Sequence, residues 1–172
     1  MIQNRFKGFR YFPIFIGALL ALLLNNDCGF YTFSGAGLKG IKTVAVPLFD
    51  NQTTEYGLRE DLTEAVTNAL VADNTLKVIN IRRADSALRG VLTKYERECY
   101  TFDGSGNCSE YIVRLYVDIT FEDLKNKKVV WEEKNVEGFG IYAASEGSDL
   151  LGKQRAVEKL SADIIDKVIK GW

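Results

Sequence analysis

The sequence predicts a two-layer α/β sandwich (α+β), in which two helices pack on one face of a mixed, mainly antiparallel sheet. Two segments carry apolar residues at three- and four-residue spacing, one early in the chain and one at its end. Between them, apolar and polar residues alternate over several segments, as in half-buried strands. Because each helix has a single apolar stripe, both helices must cover the same face of the sheet.

The first predicted strand and helix lie in residues 41–73. Residues 41–47 (IKTVAVP) are rich in Ile, Val and Thr, and Pro47 ends the strand because proline cannot donate to a ladder. Residues 50–54 are typical of a turn. A core-facing helix comes next, and Asp73 and Asn74 end it. Its apolar stripe consists of Leu58, Leu62, Ala65, Val66, Ala69 and Leu70.

The middle of the chain is predicted to form the remaining strands. Residues 76–81 and 87–100 are predicted strands, separated by a polar corner at residues 82–85. The clearest alternation comes next, and residues 129–141 return as its hairpin partner after a turn at residues 123–128. The apolar members of that alternation are Tyr111, Val113, Leu115, Val117, Ile119 and Phe121.

The last predicted helix runs from about residue 149 to residue 170. Ser148 and Asp149 supply an N-cap, and Gly171 ends the helix. Its stripe consists of Leu150, Val157, Leu160, Ile164, Ile165 and Val168. The face of the sheet away from the helices keeps tyrosines and mixed charges, so it is either solvated or a partner surface.

The N-terminus reads as a secretory signal. Residues 1–10 are basic, residues 11–24 are apolar, and a polar break occupies residues 25–27. The apolar part is shorter than the roughly 20 residues that span a bilayer. We therefore expect a lipoprotein-type signal peptide at residues 1–27, a tether at residues 28–40 and one domain at residues 41–172. An uncleaved N-terminal anchor is the alternative.

Cys28 stands where a bacterial lipoprotein carries its acylated cysteine, and Gly29 comes directly after it. The preceding residues depart from the usual lipobox, because Asn and Asp replace the small residues and Leu24 lies one position too early. Lipidation at Cys28 is the prediction, and a free or paired cysteine is the alternative. One acyl chain binds a membrane only marginally, whereas the several chains of a lipoprotein cysteine would hold durably. The Gly/Ser-rich segment after it is typical of a flexible tether.

Composition argues against several classes of function. The chain has no histidine, which removes the commonest general base and the commonest metal ligand. Its net charge is -1, with no basic excess of the kind that nucleic-acid binding requires. The glycines at 35, 37 and 40 precede a strand and open no helix, so they do not form a dinucleotide loop. We predict no enzyme, no cofactor and no metal site.

Two cysteines flank a predicted hairpin loop. Cys99 and Cys108 bracket a segment whose centre, DGSGN, is typical of a loop between two strands. In an oxidising envelope such a pair favours a disulfide, which would stabilise the fold by about 2–3 kcal/mol. Two free thiols or a metal pair are the alternatives, and the metal pair is weak because no histidine is present to complete it.

Three basic residues could bind an anionic ligand such as a lipid phosphate. Lys94, Arg97 and Arg114 lie on neighbouring predicted strands. Glu96 and Glu98 lie close in sequence, so the alternative is a solvated, salt-bridged face.

The stretch from residue 28 resembles the LptE-type lipopolysaccharide-assembly lipoproteins. The resemblance is carried by CGFYTFSG at residues 28–35, by IKTVAVPLFDNQT at residues 41–53, and by the helix with Leu58, Leu62, Thr63 and Leu70. It implies an α/β sandwich anchored by lipid in the outer membrane, on the periplasmic side. It also implies a plug inside the large β-barrel LptD that helps the barrel assemble and deliver lipopolysaccharide, without enzymatic activity or cofactor.

A second interpretation stays open at this point. The strand-Pro-x-Phe-x-Asn pattern also occurs in other envelope lipoproteins. The alternative function is therefore a periplasmic docking lipoprotein that activates a cell-wall synthase or forms part of a secretion pore.

Overall fold

A computed structural model describes residues 40–170. The predicted signal peptide, Cys28 and nearly all of the predicted tether lie outside the described residues. The elements, in chain order, are β1 (Thr43–Ala45), β2 (Asp50–Asn51), α1 (Leu58–Asp73), β3 (Lys77–Val78), β4 (Ser86–Phe102), β5 (Cys108–Asp123), β6 (Lys128–Ala143), a short 3-10 helix (Ala144–Glu146) and α2 (Leu150–Lys170).

The sheet is mixed and mainly antiparallel, as predicted. Its strand order is β3-β1-β4-β5-β6, and β2 also pairs with β4. Strand β1 runs parallel to β3 and β4, whereas β4, β5 and β6 pair antiparallel. Both helices pack on one side of this sheet, which confirms the predicted two-layer sandwich.

The core lies between the helices and the sheet. Leu58, Leu62, Val66 and Leu70 of the predicted α1 stripe are buried. On β5 the predicted alternation is confirmed, because its inward-facing residues are fully buried: Val113, Leu115, Val117, Ile119 and Phe121. Burial of these apolar side chains is the main contribution to the stability of the fold.

Two predicted strands are shorter than their apolar patterns suggested. Only three residues of 41–47 and two of 76–81 pair as strand. The backbone amides of Lys42 and Thr43 instead donate to the side chain of Asp85, over 2.9 and 3.1 Å. Asn80 begins a turn, since its side chain accepts from the amide of Arg82. Side-chain hydrogen bonds therefore replace ladder hydrogen bonds at these strand ends.

Asp85 ties three segments together. Besides accepting from the start of β1, its carboxylate lies 2.5 Å from the ammonium of Lys125 in the turn between β5 and β6. Hydrogen bonds from the Lys125 ammonium, the Lys42 amide and the Thr43 side chain hold the pKa of Asp85 far below its usual range. The predicted polar corner therefore contains a charged residue that links the start of β1 to the turn between β5 and β6. We call the contacts of Asp85 with Lys42, Thr43 and Lys125 the clamp at Asp85.

Helix α2 rests directly on the backbone of β6. A β-carbon at Gly138 would lie 2.5 Å from the carbonyl oxygen of Ala156, and a β-carbon at Gly140 would overlap the carbonyl oxygen of Gly152. Real atoms do not approach so closely, so only glycine permits this packing. The small residues set how closely the C-terminal helix packs on the sheet.

Candidate interaction surface

Two regions lie outside the core packing and are candidates for contact with a partner. The first is the open face, meaning the side of β4, β5 and β6 that points away from the helices. The second is the hairpin tip, residues 99–108, where β4 turns into β5.

Neither helix of residues 40–170 combines the length and the apolar character needed to cross a bilayer.

The open face carries charges that compensate one another. Lys94 lies 2.6 Å from Glu96, and Arg114 bridges Glu98 at 2.9 Å and Glu137 at 3.2 Å. The bond to Lys94 lowers the pKa of Glu96, and the same bond raises the pKa of Lys94. Exposed pairs of this kind contribute little stability each. The face is therefore polar, and these basic side chains are paired with carboxylates.

The three basic residues predicted as a patch are not brought together. Lys94 and Arg114 lie on the open face, where Lys94 also sits 5.5 Å from the centre of the Tyr116 ring. Arg97 lies on the helix side, with its guanidinium 4.0 Å from the centre of the Tyr111 ring and its Nε donating to the hydroxyl of Tyr142. That bond raises the pKa of Arg97. Residues 94 and 97 are an odd number of positions apart, so strand alternation already places them on opposite faces.

A half-buried polar network on the helix side was not predicted. The hydroxyl of Tyr95 donates to Asp149 over 2.7 Å, and the ammonium of Lys153 contacts Asp149 at 3.0 Å and Glu55 at 2.9 Å. These contacts join β4, the N-terminus of α2 and the loop before α1. Asp149, which the sequence predicts as a cap of α2, serves this network, while Ser148 accepts from the amide of Leu150.

The hydrogen bonds of this network determine which of its side chains are ionised. Burial alone would raise the pKa of Asp149, but the bonds from Tyr95 and Lys153 outweigh burial and hold that pKa below its ordinary value. Burial alone would lower the pKa of Lys153, yet its bonds to Glu55 and Asp149 raise it. Burial raises the pKa of Tyr95, and the bond to Asp149 adds to the effect. At neutral pH the network therefore holds Asp149 and Lys153 ionised and Tyr95 neutral.

The hairpin tip is held by a disulfide and by a hydrogen-bonded loop. The sulfur atoms of Cys99 and Cys108 lie 2.19 Å apart and their Cα atoms 5.7 Å apart, in a disulfide. The Asp103 carboxylate accepts from the amides of Ser105 and Asn107, over 2.8 and 2.9 Å. The sequence signals for both features were the cysteine spacing and the DGSGN loop.

Two aromatic side chains project from this tip. Tyr100 is 51% exposed and Phe102 is 67% exposed. The strand register shifts on both sides of Thr101, which is typical of β-bulges. Bulges re-aim neighbouring side chains, and here they leave both rings in solvent.

A groove lies between β6 and the end of α2. Its volume is ≈ 570 Å³. Acidic residues of this groove form ion pairs with lysines. Lys167 pairs with Glu133, and the ammonium of Lys170 lies 2.6 Å from the carboxylate of Asp166. Within residues 40–170 no three cysteine, aspartate or glutamate side chains are grouped so that they could hold a metal ion.

Comparison with known proteins gives one family and several related folds. Residues 41–170 match the family model LptE, described as lipopolysaccharide-assembly. A hypothetical protein from Chlamydia trachomatis shares the fold with a TM-score of 0.54 and 11% identity, over 76% of this chain and 99% of that chain. A protein from Xanthomonas campestris does so with a TM-score of 0.52 and 12% identity, over 74% and 84%. Comparison with curated protein sequences finds no match.

Proposed function

Because this chain belongs to the LptE lipopolysaccharide-assembly family, we propose that it is a non-catalytic outer-membrane lipoprotein that plugs a β-barrel lipopolysaccharide translocon and assists its assembly. In this role it supports transport of lipopolysaccharide to the cell surface. The observation that carries the proposal is the family match over residues 41–170, which include every strand and both helices of the described fold.

The surface chemistry of the domain supports the proposed plug. The interior walls of large β-barrels are polar and wet. A surface that enters such a lumen must be polar without strong repulsion, and the open face meets this requirement through its paired charges at Lys94, Glu96 and Arg114. A strongly one-signed surface would suit a lumen of the opposite sign only.

The proposal includes an anchor and a compartment. Cys28 would carry the acyl chains and hold the domain on the periplasmic side of the outer membrane. The Cys99–Cys108 disulfide suits that oxidising compartment, since cytosolic proteins keep their thiols reduced. Mass spectrometry of the mature N-terminus tests the anchor: an acylated residue 28 is expected, and an unmodified Cys28 would reject it.

Purification from intact outer membranes tests the plug. The tagged full-length chain is expected to bring down a large β-barrel protein in about equal amount, and depletion of the chain should lower the level of that barrel. Recovery of a cell-wall synthase or a secretion pore in place of a barrel would overturn the proposal and favour the docking alternative.

A further inference from the structure

We propose that the hairpin tip is a docking element that inserts Tyr100 and Phe102 into an apolar pocket of the partner protein, rimmed by basic groups. The inference deepens the proposed function and rests on it, because the partner is taken to be the barrel. Three observations lead to it: the exposure of the two rings, the rigidity of the loop that holds them, and the sign of the charge around them.

The two rings do not belong to the packed core of this domain. No side chain between residues 99 and 108 is buried, and Tyr100 and Phe102 are at least half exposed. An exposed aromatic ring leaves a large apolar area in water, which association with a partner would remove. Aromatic anchors seated in pockets are the residues that dominate the affinity of protein interfaces.

The tip is rigid before any partner binds. The disulfide closes its base, and the Asp103 carboxylate holds the loop. The hydroxyl oxygens of Thr101 and Ser109 also lie 2.7 Å apart and join the two strands of the tip. A rigid element loses little conformational entropy on binding, so more of the interaction energy appears as affinity. A mobile loop with the same rings would bind more weakly.

The charge at the tip selects the class of partner. Neither lysine nor arginine lies between Glu98 and Glu110. Glu98 is neutralised by Arg114, but Asp103 in the tip and Glu110, two residues beyond it, join no ion pair within residues 40–170. An acidic tip is repelled by anionic lipid surfaces, which attract lysine and arginine. It is attracted by a protein pocket with basic groups at its rim.

The decisive experiment compares three full-length tagged chains in outer membranes: wild type, the double variant Tyr100→Ser/Phe102→Ser, and the control Tyr56→Ser. Tyr56 is 97% exposed and lies in a loop before α1, so it matches the tip in chemistry. The tip variant should recover the barrel roughly tenfold less, as expected when two interface anchors are lost, and the control should stay within about twofold. Thermal unfolding of the purified chains should be unchanged in both variants.

Each other result has a defined meaning. If wild type recovers no barrel, the proposed function fails, and the tip inference falls with it. If the tip variant recovers as much barrel as wild type does, the tip inference alone is overturned. Glu110→Lys should also lower recovery, and an increase would reject the basic rim.

Two further measurements exclude other occupants of the tip. Purified wild type should bind vesicles containing phosphatidylglycerol and lipopolysaccharide no better than the tip variant, and a loss of vesicle binding in the variant would assign the tip to lipid. Sedimentation should show no dimer that the tip variant abolishes, since such a dimer would assign the tip to a second copy. Either result would overturn the inference.

Discussion

The two ends of the hairpin formed by β4 and β5 are stabilised in different ways. At the end near the turn to β6, Val117, Ile119 and Phe121 are completely buried under the helices. At the tip no side chain is buried, and the disulfide with a hydrogen-bonded loop fixes the strands instead. A long hairpin that extends past its core is therefore held by covalent and polar constraints where apolar burial stops.

Substitution at the buried end of the hairpin should destabilise the fold most. Phe121→Ala should lower the free energy of unfolding by about 3–5 kcal/mol, because it removes a buried ring that stacks 5.9 Å from Trp131 and leaves a cavity. Urea unfolding followed by circular dichroism measures it. A loss below about 1 kcal/mol would show that this end is not held by packing.

The tip should respond more weakly and to a different treatment. Replacing Cys99 and Cys108 with serine should cost about 2–3 kcal/mol, since the unfolded chain regains the freedom that the closed loop removes. Reduction of wild type with dithiothreitol should give the same loss, and the serine variant should not respond to the reductant. Equal stability of oxidised and reduced wild type would contradict a stabilising role for the disulfide.

The polar network joins β4 to α2 and should have an intermediate effect. Tyr95→Phe removes one of the two donors to Oδ2 of the half-buried Asp149, the other being Lys153, which should cost about 1–2 kcal/mol at pH 7. Because the folded pKa of Asp149 lies below its ordinary 3.8, its contribution is present above that value and is lost as the pH falls through the folded pKa. The difference between wild type and variant should therefore shrink in strong acid. A difference that does not change with pH would rule out Asp149 as the partner.

The smallest effect is expected on the open face. A double-mutant cycle on Arg114→Ala and Glu98→Ala should give a coupling of at most about 1 kcal/mol, because both side chains are partly solvated. The coupling should fall further in high salt. A larger, salt-insensitive value would mean that the pair is structural and that the open face is more than a solvated surface.

Periodicity and spacing in the sequence predict the sheet, the helices that cover it and the disulfide. The alternation of Val113 with Arg114 predicts the central strand, and the helical recurrence from Leu58 to Leu70 predicts the first helix. The spacing of Cys99 and Cys108 predicts the position of the disulfide. These features depend on local pattern, which burial then enforces.

The features that the sequence did not predict depend on contacts between distant segments. Strand β2, which lies in the predicted turn, forms only because it meets β4. Glu55 and Lys153 are 98 residues apart, and no local pattern pairs them. The predicted grouping of Arg97 with Lys94 follows their proximity in sequence, whereas strand alternation places the two side chains on opposite faces of the sheet.

The clamp at Asp85 has a mechanical consequence. The described domain begins at Gly40, two residues before the first of the two amides that donate to Asp85, and β1 is an inner strand bonded to β3 and β4. A pull along the chain at this point therefore loads the hydrogen bonds to both parallel neighbours in shear, together with the two bonds to Asp85, and does not peel an edge strand bond by bond. The first strand is thus held on both sides at the point where the proposed membrane tether would pull on it.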